Sequence, residues 1–328
     1  MKMGLIRYLG LGREDSGFGN ATNATRYVET IAKLIPDQGW IIPDPICDPS
    51  RTKYNLGPYR IRGNVGPFDV TPDNIGEMIN AALGNNAYNA TNNDTKSRTH
   101  SWKCGNDLDS YTLRIGAEIE ERIIAGMLAN SLNFKASHGE NVQATVAWVG
   151  PGAAESSTTL DTLTRSNLSA LQPFVYHQAS GNLSVGSGGN PDKSANIFDI
   201  ELNIENNIPV DRGNFNTRYM PKIRRGSRSV TGKLSAFFDD DDEYDRFIAG
   251  DDFALDLKFV GPEIASGRYY TLRWYMPVCV YLRDAAHPIQ PMDEPLAIDC
   301  PFQALYDDGT YTELYIQLEN QLTSVSYT

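Results

Sequence analysis

Apolar residues recur at every second position through residues 110–115, 142–148, 198–204 and 253–259, and the alternation continues through 269–281 and 311–318. Successive side chains of a strand point to opposite faces, so this period predicts strands with one face turned inward. The expected fold class is all-β with short flanking helices, a β-rich α+β chain of antiparallel sheets each covered on one face. Two stretches follow the helical period instead. Residues 74–83 put Ile75, Met78, Ile79, Ala82 and Leu83 on one stripe, with Pro72 and Asp73 ahead and Gly84 as the stop. Residues 243–248 follow four aspartates, 239–242, and precede Gly250.

The surroundings of these two helices match at an offset of 169 residues. Gly232 falls on Gly63, Val230 on Ile61, Leu234 on Val65, Phe237 on Phe68, Asp242 on Asp73 and Phe247 on Met78. Farther on, 142–148 answers 296–302. Such a repeat of strand, acidic cap, helix and strand predicts an internal duplication. The expected division is an N-terminal domain over 1–155, a polar Gly/Ser/Thr-rich linker over 156–166 and a C-terminal domain over 167–328.

The length of 328 residues suits two domains of ordinary size. A net charge of −12 argues against a protein that holds nucleic acid by neutralising phosphates, though not against one that lets DNA pass. Cys47, Cys104, Cys279 and Cys300 stand singly, too sparse for a disulfide scaffold or a zinc site. The opening residues form a short apolar patch broken at Arg7 and Arg13, which predicts no secretory signal. No apolar run reaches membrane-spanning length. Asn-x-Ser/Thr triplets at Asn20, Asn23, Asn89, Asn93, Asn167 and Asn182 read as turn chemistry.

Long irregular segments precede the repeated strand in each half. Residues 35–59 are proline-rich and carry Trp40, Ile41, Ile42 and Ile46, whereas 208–228 carries five arginines and a lysine. Segments of this length in compact domains are commonly functional, and both read as docking arms. A third, 85–109, is Asn/Thr-rich and reads as a flexible surface insertion.

Candidate chemistry is thin. The aspartates 239–242 lack the alternating spacing of a calcium loop and suit a helix N-terminus, whose dipole favours carboxylates. Gly10-Leu-Gly12 reads as a plain turn, since no dinucleotide-type strand and helix follow. His100, His138, His177 and His287 are isolated from each other, and nothing marks a nucleophile. No metal or cofactor is expected. Arg224, Arg225 and Arg228, with Arg218 and Lys222, form one basic cluster, read as meeting an acidic surface of a neighbouring subunit.

Several runs together resemble a known family. Tyr27-Val-Glu29, Gly39-Trp-Ile-Ile-Pro43, Gly57-Pro-Tyr-Arg-Ile-Arg-Gly63 and Pro72-Asp-Asn-Ile-Gly-Glu-Met78, with Arg228-Ser-Val-Thr-Gly232 in the second half, are similar to tail tube proteins of long-tailed, non-contractile bacterial viruses. The resemblance implies two tandem tail-tube domains, each of two orthogonally packed sheets with a flanking helix. It further implies homotrimeric, pseudo-hexameric rings that complete a β-barrel between neighbours and stack head to tail into a hollow tube. Implied partners are copies of the chain itself, tail-tip, tail-terminator and tape measure proteins, and double-stranded DNA that passes without specific binding; no membrane is involved. The location implied is the virion tail, assembled in host cytoplasm.

On this basis Trp40, Ile41, Ile42, Tyr59, Arg218, Arg224, Arg225 and Arg228 are expected at contacts between rings or subunits. Glu118, Asp199, Glu201, Asn203 and Asp256 are expected to line the channel, in a lining weighted toward carboxylates that repels phosphate. A virion-decorating or adhesin β-sandwich that binds carbohydrate is the second reading. A third, an enzyme on a β-scaffold, requires convergent acid/base residues that the sequence does not show.

Overall fold

The computed structural model describes residues 7–15, 17–37, 39, 41–42, 54–84, 86–91, 96–105, 107–117, 120–151, 155–158, 171–185, 197–209, 217–219, 226–237, 248–265, 267–282 and 297–321. The chain opens with β1 (Arg7–Arg13), β2 (Arg26–Val28), β3 (Ala32–Asp37) and β4 (Arg60–Asp69), followed by helix α1 (Ile75–Leu83). Next come β5 (Asn86–Thr91), β6 (Arg98–Lys103), β7 (Tyr111–Ala117), β8 (Glu120–Ser137), β9 (Gln143–Gly150) and β10 (Glu155–Thr158). The later part contains β11 (Ala179–Val185), β12 (Ile197–Glu205), β13 (Ser229–Phe237), β14 (Phe253–Ala265), β15 (Arg268–Tyr281), β16 (Ala297–Ala304) and β17 (Tyr315–Asn320). The all-β expectation holds.

One pairing order occurs twice, antiparallel throughout. In the earlier part β1 pairs with β7, β7 with β8, β8 with β9, β9 with β4 and β4 with β3. In the later part β11 pairs with β14, β14 with β15, β15 with β16, β16 with β13 and β13 with β12. The pairing of β10 with β8 is likewise answered by that of β17 with β15. Side chains agree in detail: Arg114 bonds Glu121 across β7–β8 at 2.9 Å, and the corresponding positions hold Asp256 and Arg273, at 2.6 Å, with the charges exchanged.

Gly63 and Gly232 occupy matching places in this ladder for one steric reason. A Cβ on Gly63 would lie 1.9 Å from the Lys33 carbonyl oxygen, and one on Gly232 would lie 2.3 Å from the Phe302 ring and 2.6 Å from the Glu201 carbonyl oxygen. Only a residue without a side chain lets those backbones approach so closely.

The two parts are not independent bodies. β12 pairs with β8, and β17 pairs with β6, so one hydrophobic core holds Trp102, Trp148 and Phe134 together with Trp274, Phe259 and Phe302. The hairpin β5–β6 corrects the reading of 85–109 as a flexible insertion. His100 and Trp102 alternate inward from β6, and Trp102 Nε1 donates to Asn80 Oδ1 of α1 at 3.2 Å. This cover explains why every α1 residue is buried, Glu77 and Asn80 included, where a stripe facing one side was expected.

Other boundaries shift for local reasons. Gly10-Leu-Gly12 lies inside β1 rather than in a turn. The strand expected from Tyr311 starts at Tyr315, because Tyr311 takes φ 58° in a turn that donates its N–H to the Asp307 carbonyl. Residues 239–247 of the second predicted helix lie outside the described residues.

Candidate functional site

The seam between the two parts is a continuous ladder of seven residue pairs, from Asp199 opposite Ser137 to Glu205 opposite Ser131. Ser137 donates to Asp199 Oδ1 at 2.6 Å, and Glu201 stands opposite Lys135. Just past β12, Asn206 is wholly buried and donates to the Ala82 and Ala129 carbonyls at 2.8 and 2.9 Å. Arg228 donates Nε to Asn206 Oδ1 at 2.9 Å and Nη2 to the Leu83 carbonyl at 3.1 Å. Together they satisfy carbonyls that the last turn of α1 leaves without intrahelical partners. Ile208 then packs onto Leu128 and Val149.

Because β-pairs share a face, this ladder fixes one polar surface running across β3, β4, β9, β8, β12, β13 and β16. Asp199, Glu201 and Asn203 lie on it together. Asp256 belongs to β14, outside these seven strands, and accepts two bonds from Arg273, at 2.7 and 2.6 Å. Glu118 lies outside the described residues. Lys33, Arg60, Arg62, Lys135 and Lys233 share the surface with Asp37, Asp69, Asp199, Glu201, Glu205 and Asp299.

Several of these charges are paired. Lys233 meets Asp299 at 2.7 Å, and this bond raises the lysine's pKa. Partial burial pushes Asp299 upward, but bonds from Lys233 and Ser235 outweigh it and leave the carboxyl below its usual range. Asp37 is also held low, first by the Gly39 N–H and then by Arg60 at 3.0 Å.

The polar sheet ends at β3. Among the described residues no strand pairs with the outer edge of β3, although β12, its counterpart in the pairing order, is covered by β8. Ile31 and Ile35 are 74% and 51% exposed there, and Ile41 and Ile42 beyond them are also exposed. After β3 the backbone turns left-handed at Gly39 (φ 50°), as it does at Asn207 (φ 46°) after β12. A groove of about 860 Å³ beside this edge is lined by Lys33, Ile35, Asp37, Arg62, Trp148 and Ile208.

The candidate arm residues separate. Tyr59 and Arg218 tie the two arms together within one chain: Tyr59 N–H donates to the Arg218 carbonyl at 2.9 Å and Arg218 Nε to the Gly57 carbonyl at 3.0 Å. The Tyr59 ring meets Tyr219 edge-on at 5.8 Å. Arg228 is committed to the α1 terminus as described. Ile41 bridges Asn55 through its backbone and leaves its side chain exposed. Trp40, Arg224 and Arg225 lie outside the described residues. Asn206 carries no sign of its seam role in the sequence, and Ile208 stands there only as the first residue of the segment 208–228.

Among the described residues no group of His, Cys, Asp and Glu is placed to hold a metal, and no helix is long and apolar enough to cross a membrane. Residues 4–304 match a family model described as phage tail tube protein. No curated protein matches the chain.

Proposed function

The chain belongs to the phage tail tube family, and from that premise we propose that it is a structural virion protein forming trimeric, pseudo-hexameric rings. On this reading the rings stack into the hollow tail tube of a long-tailed, non-contractile virus and conduct its DNA. The repeated pairing order supports a tandem duplication, with tube-like units over 1–155 and 167–328 joined by 156–166. The observation that carries the proposal is the unequal fate of the two matching strands: β12 is sealed by β8, whereas among the described residues nothing pairs with the outer edge of β3.

An open edge with exposed isoleucines is an aggregation hazard unless another chain completes it. A second copy supplying its later half to β3, as the earlier half supplies β8 to β12, turns one internal seam into a closed ring. Six tube units then come from three chains. The polar surface faces the channel, where alternating cations and carboxylates deny DNA the run of uncompensated cations that tight phosphate binding requires. Tail-tip, tail-terminator and tape measure proteins meet the tube during assembly in host cytoplasm.

Negative-stain microscopy with analytical ultracentrifugation of the full chain tests this. Rings or hollow filaments of a trimeric repeat are expected. Monodisperse monomers at every concentration would overturn the proposal.

A further inference from the structure

We propose that Glu77 heads a proton-operated latch between the two parts of the chain. Neutral, it closes a buried polar relay that joins α1 to β6 and β17; ionised, it is drawn toward Arg26 of β2 and the relay opens. The latch goes beyond the ring reading and does not depend on it.

The relay can be followed from atom to atom. Tyr111 of β7 donates its hydroxyl to Glu77 Oε2 at 3.1 Å and accepts from Asn80 Nδ2 at 2.9 Å. Asn80 Oδ1 accepts from Trp102 Nε1 of β6 at 3.2 Å, and the Trp102 ring stacks on His100 with centres 6.0 Å apart. His100 Nε2 meets Asn320 Oδ1 of β17 at 3.0 Å, while Asn320 Nδ2 donates to the Pro72 carbonyl ahead of α1 at 3.0 Å. Glu77, Asn80, His100, Trp102, Tyr111 and Asn320 are all buried. The relay therefore runs alongside α1 and ties the last strand of the later part to the helix of the earlier one. A buried network of this kind rigidifies while every member is satisfied and becomes costly once one is not.

The donors around each buried carboxyl show which form of Glu77 the site is built for. Glu14 receives the Gly19 and Gly126 N–H groups and the Ser110 and Thr112 hydroxyls at 2.7 to 2.8 Å, the cover that a buried charge needs. Glu121 is held by Arg114 at 2.9 Å and by the Tyr8 hydroxyl. Among the described residues Glu77 receives Tyr111 and no second donor, which suits a neutral carboxyl. Burial accordingly pushes its pKa from 4.5 up to about 7. The charged and titratable groups that bear on it are Tyr111 of β7, Asp109 just ahead of β7, Arg26 of β2 and Arg13 of β1. β6 brings His100 to the same helix, and β8 packs on it with apolar residues of the shared core. Arg26 offers the second resting place, because its Nε is buried and, among the described residues, has no hydrogen-bond partner. An ionised Glu77 that turns to Arg26 takes the acceptor from Tyr111, and the hold of Asn80 on Trp102 weakens with it.

Native-state hydrogen exchange of the full chain tests the latch, at a concentration too low for assembly and with intrinsic exchange rates divided out at each pH. Amides of α1, β6 and β17 should open as one group, with a smaller urea dependence than the ladder of β13 with β16. That opening should be about 25-fold more frequent at about pH 8 than at about pH 5.5, because the closed form holds the Glu77 proton more tightly than the open one. Glu77→Gln should remove the pH dependence, and Arg26→Gln, which takes away the cation that favours ionisation, should move its midpoint to higher pH. Opening of α1, β6 and β17 with the same free energy and urea dependence as β13 and β16 would overturn the latch. A pH dependence that survives Glu77→Gln, or a midpoint unmoved by Arg26→Gln, would overturn the roles given to those residues. Should a variant fail to fold, the parent's own exchange pattern decides between a latch and simple global unfolding.

Discussion

Replacing Glu77 by Gln should make the chain more stable, by an amount that grows with pH. Glu77 sits on α1 with only 3% of its surface exposed. Burial pushes its pKa from 4.5 up to about 7, against the Tyr111 hydroxyl that donates to it at 3.1 Å and the more distant Arg26 and Arg13. The folded state therefore holds this proton more tightly than the unfolded chain does. The stability so conferred is complete below the unfolded value and is lost as pH rises through about 7. Converted at about 1.4 kcal/mol per tenfold change in proton affinity, the loss approaches roughly 3 kcal/mol in mild alkali. A glutamine keeps the carbonyl that accepts from Tyr111 and cannot ionise. Urea unfolding of both chains at about pH 5 and about pH 8, at a concentration too low for assembly, reads the difference. The parent should lose about 2–3 kcal/mol more than Glu77→Gln across that interval. Parallel pH profiles would refute the buried, proton-bearing Glu77.

Gly63→Ala and Gly232→Ala should each destabilise the chain by about 1–3 kcal/mol, because the new methyl meets backbone or ring atoms that cannot retreat freely; unchanged urea midpoints would count against the matched strand approach. Arg228→Ala removes two bonds at the α1 terminus and leaves buried Asn206 with an unmet acceptor, for an expected loss of about 1–3 kcal/mol in the same assay. Ile31→Lys with Ile35→Lys puts charge on the open edge and should abolish assembly in sedimentation while shifting monomer stability by under about 0.5 kcal/mol; intact assembly would show that β3 is not an interface. Proteolysis within 159–170 should leave the two fragments co-eluting, because the β8–β12 and β6–β17 ladders hold them; free fragments would contradict the shared core.

Strands with one covered face were legible. Alternation marks β7, β9, β12, β14 and β15, and the stripe with its Gly84 stop marks α1 nearly to the residue. The longest strand was not. β8 runs from Glu120 to Ser137, passes from pairing with β7 and β10 to pairing with β9 and β12, and carries a bulge near Ala129–Ser131, so its alternation breaks in the middle. β6 hid in Asn/Thr-rich sequence because its near partner β5 is itself Asn-rich and its other partner β17 lies some two hundred residues away, a distance at which local pattern carries no information. For the same reason the polar character of Asp199, Glu201 and Asn203 was readable, but not the cations that cross-strand pairing sets among them. Asp256 looked equivalent to these by alternation, and only the pairing of β14 with β15 separates it. The twice-used pairing order had its sign in Gly63 and Gly232, because close backbone approach leaves those positions no alternative residue.

Cryo-electron microscopy of assembled full-length chain tests the central claim most directly. The predicted map shows three chains per ring around a hollow axis, with the outer edge of β3 hydrogen-bonded to the later half of the next copy as β12 is to β8. A ring in which that edge faces solvent, or an assembly without a central channel, would contradict it.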